Sequence, residues 1–125
     1  MTAKSKTASE LGVKAESAAV LFLITHGFSV LRTNYRTRYG EVDIIFYDGD
    51  TLVFAEVKAS GKKRSVYMPF KVTITKQRRL IRAAEEYLFR YPAEAENYRF
   101  DVILMNFQKP DQWHIEHIKS AFTAD

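Results

Sequence analysis

The sequence has no cysteine among its 125 residues. This absence excludes a disulfide framework, a thiolate nucleophile and every zinc or iron–sulfur site that depends on cysteine ligands. Long apolar runs are missing too, because the longest, from Ala18 to Ile24, is far shorter than the roughly 20 residues that cross a bilayer. The first residues show no secretory signal pattern. We therefore expect a cytoplasmic protein with no membrane partner.

Several enzyme motifs are also absent. The chain has no G-x-S-x-G nucleophile elbow, no G-x-G-x-x-G dinucleotide loop and no Walker-type phosphate loop. Histidine is scarce, with three residues in all. His114 and His117 could share a helix face, but they have no third ligand of matching kind, so we interpret them as surface imidazoles.

The composition, 46% hydrophobic and 27% charged, is typical of one globular domain. Residues 1–9 lack hydrophobic periodicity, which predicts a flexible N-terminal arm before a single domain over residues 10–125. Apolar residues at helical spacing predict a first helix from Glu10 to His26. A second helix is predicted from an N-cap at Thr75 to a stop at Pro92.

Four segments have the composition of strands, namely Phe28–Leu31, Glu41–Tyr47, Thr51–Lys58 and Arg99–Asn106. We expect loops at Arg32–Gly40 and Lys62–Pro69, an extended segment at Phe70–Ile74 and a turn at Lys109-Pro110-Asp111. The order α-β-β-β-α-β indicates an α/β fold with a central mixed β-sheet flanked by helices. Its hairpin would be antiparallel and the strand after the second helix parallel.

The hairpin between the second and third predicted strands concentrates charge. Its two-residue loop is either Gly49-Asp50 or Asp48-Gly49, and both registers place the same side chains on one face. That face carries Glu41, Asp43, Glu56 and Lys58. The opposite face is predicted to be an apolar core surface made of Val42, Ile44, Phe46, Val53, Ala55 and Val57.

Carboxylates directly opposite each other destabilise a sheet unless a cation lies between them. Lys58 neutralises only part of this charge, whereas Mg²⁺ or Mn²⁺ takes oxygen ligands from one or two carboxylates together with water and phosphate. The alternative is an exposed face whose charges are solvated. Glu16, among apolar neighbours in the first helix, needs a partner as well, either a basic side chain or the same metal.

The basic residues are concentrated in one segment. From Val57 to Ala84 there are nine Lys and Arg and no acid, while the rest of the chain holds ten basic and fifteen acidic groups, a net charge of −5. Such a segment suits the phosphate backbone of a nucleic acid, and a solvated helix face with a mobile loop is the alternative. The predicted nucleic-acid contacts are Lys62, Lys63, Arg64, Lys76, Arg78 and Arg79, with Arg36 and Arg38 from the loop before the hairpin.

Asp43, twelve intervening residues and Glu56-Val57-Lys58 resemble the PD-(D/E)xK nuclease motif, with Val42 in place of its leading proline. Over most of the chain the sequence resembles the YraN-like family of small bacterial proteins more closely. The supporting segments are Gly12, Glu16 and Ala19, His26-Gly27-Phe28, Asn34-Tyr35-Arg36, Gly40 to Ile45, Leu52 to Lys58, Lys76 to Leu80, Tyr87-Leu88, Arg99 to Val102 and Ile115 to Ile118. Ser60 departs from the pattern, because an Arg is expected there.

This resemblance implies a restriction-endonuclease-like fold, similar to Holliday-junction resolvases. It implies a Mg²⁺ or Mn²⁺ site built from Asp43 and Glu56, with Glu16 as the helix carboxylate and Lys58 beside the scissile phosphate. The expected function is metal-dependent cleavage of DNA, with branched DNA as one candidate substrate. A non-catalytic nucleic-acid-binding module on the same fold is the alternative, and a protein-interaction domain is a third. Whether the chain forms a homodimer, as junction resolvases do, stays open.

Overall fold

A computed structural model describes residues 3–61, 72–94 and 96–124 of the chain. Its two long helices are α1 (Ala3–Thr25) and α2 (Ile74–Arg90), and a short 3-10 turn, Pro92–Glu94, follows α2. The strands are β1 (Ser29–Arg36), β2 (Glu41–Asp48), β3 (Thr51–Ser60), β4 (Asn97–Lys109) and β5 (Gln112–Phe122). Within the described residues, no helix is long and apolar enough to cross a membrane.

The five strands form one sheet in the order β1-β2-β3-β4-β5. All neighbours are antiparallel except β3 and β4, which are parallel and flank α2 in the sequence. This confirms the predicted α/β fold with a mixed sheet. The sheet gains one strand, because the last segment of the chain pairs with β4 after the predicted turn at Lys109-Pro110-Asp111.

Each face of the sheet is covered by one helix. Helix α1 buries Ala15, Ala19 and Leu23 against the first face, and α2 buries a second set against the other face. The α2 set is Leu80, Ala83, Ala84 and Tyr87. Because both faces are covered, β2, β3 and β4 contain long buried runs rather than a strict alternation of buried and exposed residues.

The hairpin has the first of the two predicted registers. Asp48 pairs with Thr51, so Gly49 and Asp50 form the loop. Gly49 has a φ of 60°, in the left-handed region that glycine adopts without steric cost. This register determines which side chains meet at the far ends of β2 and β3.

Several predicted boundaries were wrong. Helix α1 begins at Ala3 rather than at Glu10, within the predicted arm. Strand β1 runs to Arg36, so Arg32 and Arg36 belong to a strand and not to a loop. The N-cap of α2 is Thr73, whose hydroxyl accepts a hydrogen bond from the Lys76 N–H at 3.2 Å, and not Thr75.

One predicted region cannot be compared with the structure. The predicted loop at Lys62–Pro69, which carries Lys62, Lys63 and Arg64, lies outside the described residues. Phe70 and Lys71 of the predicted extended segment at Phe70–Ile74 lie outside them as well, and Ile74 is the first residue of α2.

Candidate functional site

A small open pocket, hereafter the carboxylate pocket, lies between the start of β2, the end of β3 and the first turns of α2. Its volume is about 250 Å³, below the usual size of sites for drug-sized ligands. The lining residues are Gly40, Glu41, Asp43, Glu56, Val57, Lys76, Arg79 and Leu80. The pocket thus brings three of the four predicted acids together with two of the predicted basic residues.

Asp43 enters the pocket because the β2–β3 ladder ends just before it. The last backbone pair is Ile44 with Ala55, and beyond that pair the Asp43 carboxylate accepts a hydrogen bond from the Val57 N–H at 2.8 Å. A side chain therefore satisfies a backbone donor at the end of the ladder.

Near Asp43, the side chains of β2 depart from strict alternation between the two faces of the sheet. Ile44 packs on the α1 face, but Val42 packs on the α2 face together with Ile45. The prediction that Val42 shares the face of Ile44 was therefore wrong. On β1, Thr33 pairs with Ile44 and Tyr35 pairs with Val42, so Asn34 lies opposite the point at which the faces of β2 change.

Asn34 lies between these two β1 residues and has a φ of 52°, a left-handed conformation that asparagine tolerates better than most residues. It lies near the carboxylate of Glu16 on α1, and it lowers the pKa of that carboxylate. One irregular position in β1 thus lies opposite Asp43 of β2 and near the helix carboxylate. Asn34 is not among the predicted site residues, because residues 32–40 were predicted to form a loop; its residue type, which tolerates the left-handed conformation, was the available signal.

The ionised form of Asp43 is opposed by its surroundings. The side chain is half-buried; its desolvation raises the pKa of Asp43, and the hydrogen bond from the Val57 N–H lowers it. The negative charges of Glu16, Glu56 and Glu41 raise it as well, and the resulting pKa is about 7. Four carboxylates are therefore close enough to repel one another, as the hairpin pattern and the position of Glu16 predicted.

Glu56 has two ammonium partners, whereas Asp43 forms no salt bridge within residues 3–61, 72–94 and 96–124. The Glu56 carboxylate lies 3.8 Å from the Lys58 ammonium and 3.7 Å from the Lys76 ammonium, and its side chain is 17% exposed. Lys58 follows it by two residues on the same strand, and Lys76 comes from the first turn of α2. Lys76 lines the pocket, and Lys58 lies beside its Glu56 carboxylate; the roles predicted for the two lysines stay predictions.

Glu16 and Glu41 flank the pocket from different elements. Desolvation raises the pKa of Glu16, the Asn34 side chain lowers it, and the charge of Glu41 raises it. Glu41 is paired with Arg36 at 2.8 Å. The Arg36 side chain is 83% exposed in this surface ion pair, and its role in phosphate binding stays a prediction.

The pocket has the donor chemistry of a divalent-cation site. Asp43 and Glu56 supply carboxylate oxygens beside each other, and one or two carboxylates completed by water and phosphate are what Mg²⁺ requires. Over residues 3–61, 72–94 and 96–124, however, no three acidic or histidine side chains are already arranged as a metal centre. The residues fit a cation bound through two carboxylates better than a cage made wholly of protein ligands.

The other predicted basic residues differ in whether they line the pocket. Arg79 lines the pocket, and Arg38 lies exposed in the loop between β1 and β2. Arg78 is exposed on α2 and is not among the lining residues. Among the predicted nucleic-acid contacts that the structure describes, Lys76 and Arg79 line the carboxylate pocket.

The histidine interpretation was wrong for His117. Both histidines lie on β5 and not on a helix, and the side chain of His117 is only 8% exposed. Its Nε2 lies 2.7 Å from a carboxylate oxygen of Asp101, a residue with no exposed surface. His114 is exposed, as predicted.

A family model described as "Uncharacterised protein family UPF0102" matches residues 15–105. A UPF0102 protein of Chlorobium chlorochromatii is 41% identical over 121 residues, which cover 93% of each chain. Another, of Caldicellulosiruptor saccharolyticus, is 44% identical over 115 residues, covering 90% of this chain and 97% of the relative. A third, of Geobacter sulfurreducens, is 41% identical over 112 residues, covering 90% and 88%. The names of these relatives state no activity.

Proposed function

The chain belongs to the uncharacterised protein family UPF0102, which is the predicted YraN family, and we propose that it is a metal-dependent endonuclease that hydrolyses phosphodiester bonds in DNA. One observation carries this proposal. Asp43 is held half-buried beside Glu56, with three carboxylates raising its pKa, at the edge of a basic helix. A divalent cation bound at the carboxylates would relieve this repulsion. Without such a ligand, the repulsion only destabilises the fold.

Asp43 and Glu56 would hold the Mg²⁺ or Mn²⁺ ion, with Glu16 as the third carboxylate nearby. When bound, such an ion acidifies a water molecule and offsets the charge that develops on the phosphate. Lys58, next to Glu56, would orient the attacking water or stabilise the phosphate oxygens. Its side chain is 30% exposed, so it stays accessible to a bound phosphate or water.

Lys76 and Arg79 would bind the phosphate backbone at the pocket. Both line it, and a guanidinium group binds phosphate through two parallel hydrogen bonds. These are contacts to the backbone and not to base edges, so they favour DNA of a particular shape over a particular sequence. The small volume of the pocket suits a single phosphate and not a whole nucleotide.

Calorimetric titration with Mn²⁺ tests the metal site. We expect the unaltered protein to bind Mn²⁺ and Asp43→Asn to bind it much more weakly, because one of two ligand carboxylates is lost. Asp50→Asn, the same substitution in the exposed hairpin loop, is the control and should bind like the unaltered protein. Equal binding by all three proteins would contradict the assignment of Asp43.

Cleavage of linear, flapped and four-way DNA in the presence of Mn²⁺ tests the activity. We expect cleavage of at least one of these substrates by the unaltered protein and by Asp50→Asn, and a loss of cleavage in Asp43→Asn and Lys58→Met. An inactive unaltered protein that still binds Mn²⁺ would rule out the nuclease and leave a binding function.

A second candidate is a nucleic-acid-binding module that does not cut. It is favoured by the position of Lys58 and Lys76, which neutralise Glu56 without a metal. For such a module, DNA affinity would be the same in EDTA and in Mn²⁺, and Asp43→Asn would leave it unchanged. A nuclease with its ion in the pocket should bind DNA more tightly with the ion present.

A further inference from the structure

The loop between β1 and β2 carries an aromatic ring that contacts two guanidinium groups. The Cζ atom of Arg38 lies 5.1 Å from the centroid of the Tyr39 ring, and that of Arg82 on α2 lies 5.0 Å from it. Both distances are within the range of cation–π contacts. Arg38 Nη2 also donates a hydrogen bond to the Tyr39 hydroxyl at 3.2 Å. These three residues are called the arginine–tyrosine cluster below.

The loop that holds this cluster is internally bonded. The Thr37 hydroxyl accepts hydrogen bonds from the N–H groups of Tyr39 and Gly40 at 3.0 and 3.2 Å, and it donates to the Gly40 carbonyl at 3.0 Å. The Thr37 N–H donates to the same carbonyl at 2.8 Å. A loop closed in this way loses little further entropy when Arg38 and Tyr39 bind a ligand.

The loop is also docked closely on α2. A Cβ atom at Gly40 would lie 3.3 Å from the Cβ of Arg79, so this approach depends on the missing side chain. Arg79 and Arg82 are three residues apart and thus neighbours on the helix surface. The loop and the helix together fix the two guanidinium groups of the cluster relative to each other.

The charges of the cluster are not neutralised within the part of the chain that the structure describes. Arg38 and Arg82 form no salt bridge there, whereas Arg36 is paired with Glu41 and Arg99 with Asp101. Two cations held against one ring repel each other. An anion that bridges them relieves this repulsion, and phosphate matches the geometry of guanidinium donors.

The cluster adjoins the carboxylate pocket through Gly40 and Arg79, which line that pocket. A nucleic-acid strand with one phosphate in the pocket would extend its neighbouring phosphates along the same surface. We propose that the arginine–tyrosine cluster is a subsite for a backbone phosphate of that strand, and that Tyr39 positions Arg38 and Arg82 for it. The proposal rests on the proposed function, because it takes DNA as the ligand.

The affinity for DNA in EDTA tests the subsite without any contribution from a metal ion. The probes are a labelled linear duplex and a labelled four-way junction, measured by fluorescence anisotropy over a range of salt concentrations. We expect Tyr39→Leu to weaken binding about threefold to tenfold and to reduce its salt dependence, although the substitution removes no charge. Tyr39→Phe keeps the ring and should stay within about twofold of the unaltered protein.

Arg38→Gln and Arg82→Gln should each weaken binding and lower the slope of log affinity against log salt by about 0.9, as expected for one lost phosphate contact. The matched controls are Arg90→Gln and Phe89→Leu. They remove a charge and a ring from exposed positions near the end of α2 and should leave affinity and slope unchanged.

A triple variant separates positioning from direct contact. With both arginines already replaced by Gln, Tyr39→Leu should cause no further loss, because no guanidinium group is left to position. A further loss would mean that Tyr39 contacts the DNA itself and would overturn its positioning role. Unchanged binding by Tyr39→Leu alone would overturn the subsite while leaving the carboxylate pocket intact as a site. A failure to bind Mn²⁺ with these DNA effects present would instead overturn the metal site and leave the subsite standing.

Discussion

Asp43 is a carboxyl group placed where burial and three like charges oppose its ionisation. The pKa of Asp43 is raised to about 7, from an ordinary value of 3.8, so the folded protein holds this proton over a pH range in which the unfolded chain has released it. Stability therefore falls as the pH rises from about 4 to about 7. The carboxylate that we propose as a metal ligand therefore lowers the stability of the protein when no cation is bound.

Asp43→Asn should remove that cost. In EDTA at a pH above 7, we expect the variant to be more stable than the unaltered protein by on the order of 3 kcal/mol, since the amide is uncharged and its oxygen can still accept the bond from Val57. At about pH 4 the two proteins should unfold at the same denaturant concentration. Urea unfolding at the two pH values measures the difference.

Asp50→Asn in the exposed hairpin loop controls for the general effect of losing one negative charge. A lower stability of Asp43→Asn above pH 7 would show that the Asp43 carboxylate is stabilised by its surroundings and not opposed by them. That result would contradict the need for a cation in the pocket.

Asn34 provides a second prediction at this scale. Asn34→Ala should destabilise the protein by about 1 to 2 kcal/mol, because alanine disfavours the left-handed conformation, whereas Asn34→Gly should cost less. Both variants lose the side chain that lies near Glu16, so the two should weaken Mn²⁺ binding alike if Glu16 serves the site. Thermal unfolding and calorimetry separate the effect on the backbone from the effect on Glu16.

At the scale of elements, the contacts between loops, strands and helices determine where the site residues lie. The carboxylate pocket exists because the ladder between β2 and β3 ends at Ile44 and because the 37–40 loop reaches α2. The β4–β5 pair is joined differently, through the fully buried Asp101, which accepts hydrogen bonds from Arg99 and from the Ser120 N–H and contacts His117. These contacts can be tested one at a time.

Gly40→Ala tests the docking of the loop on α2. The added methyl group would lie 3.3 Å from the Cβ and 3.6 Å from the carbonyl oxygen of Arg79, so the loop must move away from the helix. We expect a loss of about 1 to 3 kcal/mol in stability, as for other overpacked contacts, and weaker DNA binding. Thermal unfolding and anisotropy measure the two effects.

The same substitution at Gly12 is the matched control. Gly12 lies in α1 with open space around the position of a Cβ atom, so Gly12→Ala should stabilise the protein by up to about 1 kcal/mol. Equal effects at the two glycines would show that the close approach at Gly40 does not constrain the loop.

The buried carboxylate of Asp101 predicts how acid affects the stability that comes from the contacts between β4 and β5. Burial alone would raise its pKa, but the bonds from His117, Arg99 and the Ser120 N–H outweigh burial and lower the pKa of Asp101 below its ordinary value. The stabilisation is therefore present above about pH 4 and is lost as the pH falls through the folded-state value. Asp101→Asn should reduce the acid dependence of unfolding and cost about 1 to 3 kcal/mol at neutral pH, because Arg99 loses one of its two carboxylate partners and keeps Asp48. An unchanged urea midpoint at neutral pH would contradict this role.

At the scale of the whole molecule, a modest net charge of +4 conceals a basic segment with nine Lys and Arg and a remainder at −5. The fold places the part of this segment that belongs to α2 next to a group of carboxylates. This charge distribution would attract an anion such as DNA to the surface around the carboxylate pocket, and a cation into the pocket itself.

The affinity of the unaltered protein for DNA should fall linearly with salt on a double logarithmic scale, with a slope of about −0.9 for each neutralised phosphate. Arg78→Gln should lower this slope less than Arg79→Gln, because Arg79 lines the pocket and Arg78 does not. Binding that does not change with salt would contradict a phosphate-directed surface.

The sequence by itself determined the fold class, the hairpin and the grouping of acids. These follow from local rules: a period of 3.6 or 2 in the apolar residues, a two-residue loop that allows two registers, and strict alternation of faces along a strand. That is why Asp43, Glu56 and Lys58 could be placed together without coordinates. The prediction was wrong for Val42, where the alternation breaks, and for His117, whose burial depends on α1 and β5.

Only the tertiary structure decided which charged side chains contact each other. Arg36 and Arg38 are separated by one residue in the sequence, yet Arg36 is paired with Glu41 while Arg38 lies against Tyr39 beside a second arginine from α2. The partner of a charged side chain comes from whichever element packs beside it, and that contact has no signature in local spacing. The sequence therefore predicted the kinds of groups in the candidate site, and the packing of the loop on α2 determined which of them lie together.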